Sequence, residues 1–346
     1  MINRRAGLLI AQTLLGLALL VAWLYLIDLE EVGQTLSQTR WHLVLLAAVI
    51  GLSSGVLRAQ RWRIVLRPIA HVPLIDLWLI SMASSLVNFI IPLRTGEIAR
   101  SLLLKQRHRV SMAASLPTIA VDRSFDLVAI LILGTVGTLS GIPLGGRMGT
   151  VLLAGGALFL IFVAFVVFAI LSGKRLLTFV ARLLPSRLSS LVRERILGLL
   201  ESFLSGFTAV GKRPKALAPM FALSLLSAVM DGALYYFLFA SLGSIQPPAI
   251  VLTGYSLFAL TFLVPGGPGY IGSMEAFGSL VFSALGVGRE LAASTVVLYH
   301  ATNAIILGVV GGLAMWALGF RPSTAVRSLV EMGETNAVPD QQDVEA

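Results

Sequence analysis

The sequence predicts an all-α polytopic membrane protein with about six full crossings and two broken, re-entrant helical hairpins in an inverted-topology repeat. Three observations predict it. Hydrophobic residues fill 57% and charged residues 12% of the 346 positions, about half the charge of a soluble domain, and the mean hydropathy is +0.89. Apolar runs of spanning length recur so closely that the longest polar stretch between them is about forty residues, which excludes a soluble enzyme on a tether. Two of the runs are broken by Pro and Gly at corresponding places in the two halves. Cysteine is absent, so disulfides, thiolate nucleophiles, Cys-ligated zinc and iron–sulfur clusters are excluded as well.

The first run, 7–27, follows Arg4 and Arg5 and meets no small-x-small cleavage site before Asp28, so it reads as a retained anchor. Further runs at 41–57, 74–91, 113–139, 150–171, 216–242, 249–264, 270–286 and 291–319 bring the total to nine, each helical because barrel strands would alternate. Nine crossings would put the basic loops 58–73 and 92–110 on opposite sides, against the positive-inside rule. The conflict disappears if 74–104 enters from the cytoplasm, breaks at Pro92 and returns, while 249–286 does the same from outside, breaking between Pro265 and Gly269. Six crossings remain, and 22 of the 26 Lys and Arg then face the cytoplasm together with both termini. The net charge of +9 is thereby explained by orientation and by attraction to anionic lipid, without nucleic acid.

The resulting plan is one transmembrane domain, 1–325, in the cell (inner or plasma) membrane, with repeat units at 41–139 and 216–319 and a cytoplasmic amphipathic segment at 173–215. A disordered acidic tail, 326–346, follows. A sequence echo supports the repeat. Phe89-Ile90-Ile91-Pro92 with Gly96 and Phe262-Leu263-Val264-Pro265 with Gly269 stand 173 residues apart, and paired interruptions of this kind mark a transporter's binding site.

Four groups of residues carry candidate chemistry. In the first break, Pro92 and Gly96 stop one helix after Asn88, Thr95 is placed to cap the next, and the new helix's unpaired N–H groups begin beside Arg94 and Arg100. That is an anion site by construction. Glu97, three residues from each arginine, orients both or presents a carboxylate to an amine or proton; the bland alternative is a pair of arginines that snorkel to the surface. Crossing 113–139 carries Asp122, Arg123 and Asp126, the acids one turn apart on one face, which should turn inward and pair with the hairpins; for Arg123 a static polar staple is the alternative. Asp231 is a lone acid in its crossing. In the second break Gly267 and Gly269 form a glycine-rich turn suited to a phosphate, with Glu275 in the helix that follows; close helix packing is the alternative. His300 lies on the last crossing with no second His or acid at metal spacing, so no metal or other cofactor is expected.

Taken together, Asn-x3-Pro-x-Arg-x-Gly-Glu-x2-Arg at 88–100, Asp-Arg-x2-Asp at 122–126 and Pro-Gly-Gly-x-Gly with its following Glu at 265–275 resemble the membrane domain of lysylphosphatidylglycerol synthases and the stand-alone flippase-like proteins similar to it. The likeness runs over positions 8 to 320. It implies lipid movement between leaflets, without the soluble domain that carries out aminoacyl transfer in that family. Two departures bear on the head group: the family tends to have Glu where Asp122 stands and Arg where His300 stands. The expected function is a lipid translocase acting on an anionic or phosphate-bearing lipid. The alternatives are a membrane-embedded lipid or polyprenyl-phosphate transferase, for which no Asp-x-Asp or His-Glu-x2-His is present, and an accessory subunit of a lipid or glycan synthesis complex. Self-association and lipid-synthesis partner proteins stay open.

The orientation is testable with single cysteines in this naturally cysteine-free chain. Arg40→Cys and Gly145→Cys are expected to react with an impermeant thiol reagent added outside, and Arg67→Cys, Arg107→Cys and Arg187→Cys only from inside. Outside labelling at position 107 would show that 74–104 crosses fully.

Overall fold

The computed structural model describes residues 2–91, 95–140, 182, 214–262 and 267–319. Pro92, Arg94, Pro265, the run 150–171, all but three residues of the segment 173–215, and the tail 326–346 lie outside the described residues. Among the described residues every regular element is helical, as the composition predicts.

The anchor is α1, Ile2–Leu26. A short helix that the sequence did not predict follows it, α2, Leu29–Ser37, because Asp28 caps it by accepting from the backbone N–H of Glu30 and Glu31 at 3.0 and 3.2 Å. The chain bends 87° between the two. Helix α3 runs Trp41–Leu66, nine residues past the end of the predicted run, so the supposed basic loop 58–73 is largely helix. No breaker occurs before Pro68, and two of its basic residues turn inward rather than to water.

Helices α4, Leu74–Ile90, and α5, Thr95–His108, form the first hairpin. Asp76 meets His108 Nε2 at 2.9 Å at its open end, and Gly96 meets Ser84 and Asn88 at its closed end. A Cβ on Gly96 would lie 2.3 Å from the Ser84 carbonyl oxygen, so glycine sets how close the arms come. Thr95 does not cap α5 as expected; it is the first helical residue, and its hydroxyl donates back to the Ile91 carbonyl at 3.0 Å. Helix α6, Met112–Leu139, starts at a Ser111 cap.

The second half repeats this order. Helix α7 is Pro214–Ser241 and α8 is Pro248–Thr261; a 3₁₀ turn at Pro268–Tyr270 leads into α9, Ser273–Ala284. Helices α8 and α9 form a second hairpin, Gly254 facing Phe282 and Phe258 facing Gly278. Helix α10, Arg289–Ile306, continues through a π turn at Leu307–Gly311 into α11, Gly312–Ala317. By length and apolarity alone, three described helical stretches can cross a membrane, Trp41–Leu66, Lys215–Ser241 and Arg289–Ala317, and a fourth if the bent α1–α2 pair counts as one span.

Helices α3 and α7 cross antiparallel at the centre: Gly51 faces Leu234, Ser54 faces Ser227, and Arg61 faces Ser224. Each hairpin also packs on the last long helix of the other half. Gly134 and Gly137 of α6 meet Ser256 and Thr253 of α8, and Gly311 meets Met82 and Leu86 of α4. Helix α1 leans on the second break, where a Cβ on Gly272, whose φ is +80°, would come within 1.9 Å of the Gly16 carbonyl oxygen.

Gly272→Ala therefore combines a left-handed backbone with a backbone clash, and it is expected to lower the thermal unfolding temperature of the detergent-solubilised protein by several degrees. Gly33→Ala, in a helix with open space around it, is expected to hold or raise that temperature.

Candidate functional site

A lone charge cannot stay in an apolar bundle, so each ionisable group here is read through its partner. Arg61 of α3 is fully buried. It donates from Nε to Asp122 Oδ1 and from Nη1 to Asp126 Oδ1, both at 2.8 Å, and from Nη1 to Ser224 Oγ at 2.9 Å. The one-turn spacing of the two aspartates is what lets one guanidinium span both. Arg100 reaches the other Asp122 oxygen from α5 at 3.1 Å while its guanidinium lies 3.7 Å from the Trp62 ring centre. Trp62 is fixed in turn by donating to Thr118 Oγ1 at 3.1 Å.

A second cluster adjoins the first. Arg58 pairs with Asp231 and lies 3.4 Å from Asp126 Oδ1. Asp231 also accepts from Ser54 Oγ at 2.7 Å and from the Tyr255 hydroxyl at 2.9 Å, so the lone acid of the sequence has three partners. Arg123 lies 3.3 Å from Asp126 and 3.8 Å from Glu97. The two clusters join four arginines, 58, 61, 100 and 123, to four acids, 97, 122, 126 and 231, and carry no net charge.

This arrangement corrects two expectations. Arg58, Arg61 and Arg100 were counted among the 22 cytoplasmic basic residues, and they belong instead to an internal network on the inner faces of α3 and α5. Arg100 is also not presented at the start of α5; it is 3% exposed and paired with Asp122. Arg94, its proposed companion, lies outside the described residues. The signal for Arg58 and Arg61 was available: three acids in predicted crossings needed cations, and these two stand three apart on a helix with no breaker.

A cavity of about 560 Å³ opens where the two hairpins meet. Five charged residues line it, Arg58, Glu97, Arg123, Asp126 and Asp231. Six aromatic residues line it as well, Phe89, Tyr235, Tyr255, Phe262, Tyr270 and Tyr299, and the two sets meet where the Tyr255 hydroxyl donates to Asp231. Arg123 and Glu97 are its most open charges, at 48% and 34% side-chain exposure. The tips touch across it: Asn88 Nδ2 donates to the Tyr270 hydroxyl at 3.2 Å, and Phe89 stacks at a tilt on Tyr270 with ring centres 6.4 Å apart. None of the tyrosines was singled out from sequence, since an aromatic in an apolar run carries no signal of its own.

The second break behaves differently from the first. Glu275, third residue of α9, accepts from the Gly272 N–H at 2.7 Å, so the start of that helix is capped by its own carboxylate rather than left open for a phosphate. Its other oxygen lies 2.5 Å from His300 Nδ1. Gly267 and Gly269 form the turn, Gly269 with φ +67°, and Gly267 packs on the α1 backbone at Gln12. Phe89 sits edge-on to His300, with centres 5.8 Å apart, tying the clasp to the first hairpin. One spelling is without function: Gly51-x-Ser53-x-Gly55 has the letters of a nucleophile elbow, yet it lies mid-helix in α3 and Ser53 donates to the Val49 carbonyl at 2.8 Å.

These positions all fall inside one family match, since the model of the lysylphosphatidylglycerol synthase TM region covers residues 6–311. The chain belongs to that family. Among curated relatives of this family member, the glycosyltransferase AglD of Haloferax volcanii is 28% identical over 96% of this chain, which spans 57% of that protein's length. A UPF0104 membrane protein of Pyrococcus horikoshii is 24% identical over 87% of this chain and 94% of its own length. One of Methanothermobacter thermautotrophicus is 24% identical over 87% and 93%. No solved structure matches. His300, where the resemblance leads to Arg, meets Glu275 through Nδ1, and Glu275 also accepts from the Gly272 N–H.

Asp122 compensates two buried arginines at once, so Asp122→Ala is expected to destabilise the protein by about 3–5 kcal/mol, whereas Arg123→Gln, half exposed, should cost under about 1 kcal/mol. Unfolding of both variants in the same detergent, followed by tryptophan fluorescence, compares them. Similar stabilities would show that Arg61 and Arg100 do not depend on Asp122.

Proposed function

We propose that this protein is an integral membrane translocase that moves a phosphate-bearing lipid, or a related amphiphile, between leaflets of the cell membrane, with both termini cytoplasmic. The observation that carries the reading is the cavity between the hairpins, lined by both charged and aromatic side chains. Its open charges, Arg123 and Glu97, suit an ionic head group, and its aromatic rings suit the apolar or hydroxyl-bearing part beside it. Broken helices are tolerated at membrane depth where they line such a cavity.

The inverted-topology repeat, with units at 41–139 and 216–319, is part of the same proposal. Contacts between α3 and α7 support it. Ser54 bonds Ser227 and Arg58 bonds Asp231, each pair 173 residues apart, the offset of the Phe89 and Phe262 motifs. The contacts Gly51 with Leu234 and Arg61 with Ser224 exchange under the same shift. Residues that meet their own equivalents in antiparallel helices are those of a two-fold axis lying across the helices. In this scheme the two hairpins are re-entrant from opposite faces and alternate in exposing the cavity.

The glycosyltransferase name of the haloarchaeal relative favours a second reading, in which the cavity holds a membrane-bound acceptor for a transfer reaction. Purified protein in vesicles carrying a head-group-labelled phospholipid separates the readings. Leaflet transfer with the lipid unchanged is the expected result; a covalently modified lipid favours the transferase, and neither favours an accessory subunit. Glu97→Gln and Arg123→Gln are each expected to slow transfer on the order of tenfold, the loss of one charge-assisted contact. Full rates in both would remove Glu97 and Arg123 from the path.

A further inference from the structure

We propose a second binding site, a groove for the hydrocarbon chain of the lipid whose head group occupies the cavity; this rests on the translocase reading. A smaller cavity of about 110 Å³ lies between the middle of α1 and the second break, lined by Leu15 and Leu19 of α1 and by Phe262, Met274 and Phe277 of the second hairpin. It shares Phe262, Tyr270 and Met274 with the large cavity, so the two adjoin. Its polar lining is uncharged, Gln12 and the hydroxyls of Thr261, Tyr270 and Ser273, whereas the large cavity carries five charged groups. A polar head and an apolar chain joined in one molecule match that adjacency.

The attachment of α1 fits a wall that admits a chain. Its C-terminal half is pinned: Trp23 donates to Ser279 Oγ at 3.0 Å, Trp23 and Ile27 are buried against α9 and α10, and Arg289 donates to the Leu26 carbonyl at 3.3 Å. Its middle touches the second break through backbone, Gly16 against Ile271 and Gly272. On the far side Leu14, Leu17 and Val21 are exposed, so a chain leaving the groove passes into surroundings that the helix already presents as apolar. Head group inside and chain outside is the arrangement that lets a lipid cross without dragging its whole tail through the protein.

The test uses wild-type protein in detergent and a phosphatidic acid with a diazirine on one acyl chain, irradiated and mapped by mass spectrometry. Adducts in 12–19 and 273–277, reduced severalfold by excess soluble glycerol phosphate, are the expected result. Adducts there that glycerol phosphate leaves unchanged would make the groove a plain lipid contact and overturn the proposal. Adducts elsewhere, with lipid transfer still measured in vesicles, would also overturn it and leave the translocase reading intact. Absence of transfer in the vesicle assay strikes the translocase reading itself. Leu15→Trp, which fills the groove, should cut both the adducts and the transfer of long-chain lipid severalfold while glycerol phosphate binding stays unchanged.

Discussion

The interaction on which the rest depends is the one between Arg61 and the aspartate pair Asp122 and Asp126. A guanidinium with no exposed surface, in a helix of membrane-spanning length, has no water to fall back on, so its acids must be present or the bundle does not close. Meeting that demand fixes three elements at once. Arg61 locks α3 to α6 and, through Ser224, to α7; Arg100 then locks the first hairpin to the same Asp122. The crossing of α3 and α7 and the seat of the first hairpin are therefore set by electrostatics as much as by apolar packing, which in lipid has little power to choose one helix face over another.

Once Arg61 and Arg100 are satisfied, the charges left over are the ones that meet the cavity. Arg58, Glu97 and Arg123 are held more openly than Arg61 and Asp122. Under the proposed repeat two of the cavity's tyrosines have the same origin. A shift of 173 residues carries Glu97 onto Tyr270 and Asp126 onto Tyr299, so each half supplies equivalent positions, charged in one and phenolic in the other. Two half-sites that began alike would then differ in chemistry, and a cavity between them would bind a molecule with two unlike ends.

Helix positions were largely legible in the sequence because long apolar runs and Pro or Gly breaks are strong local signals: α4, α6 and α7 begin and end within two residues of the predicted runs, and the run 249–264 overshoots α8 by three. What failed was local reading of charge. Arg58 and Arg61 were assigned to a loop because arginine after an apolar run usually marks the membrane surface, and only the distant acids reveal otherwise. Glu275 was expected beside a glycine-rich phosphate cradle, and the partners of its carboxylate, the Gly272 N–H and His300, were not foreseen. Asp122 and Asp126 were legible as an inward pair, since acids within an apolar helix need partners there, whereas Arg123 beside them is half exposed. The tyrosines were not, because their role comes from where the second hairpin folds.

Helix α10 with its π turn touches both hairpins, as α6 does. His300 holds Glu275 of the second, and two turns later the π turn at Leu307–Gly311 places Gly311 against Met82 and Leu86 of the first. A π turn inserts one residue into the helical register, so the faces before and after it are rotated relative to a straight helix. Without it, a side chain presented to the second hairpin at position 300 and one presented to the first at 311 would follow a regular helical spacing; with it, the two contacts can be set independently. Tyr299, Thr302, Asn303, Ile306 and Leu307 line the large cavity between those two contacts. Under the proposed translocase reading, a ligand in that cavity would touch the stretch of chain that contacts both hairpins.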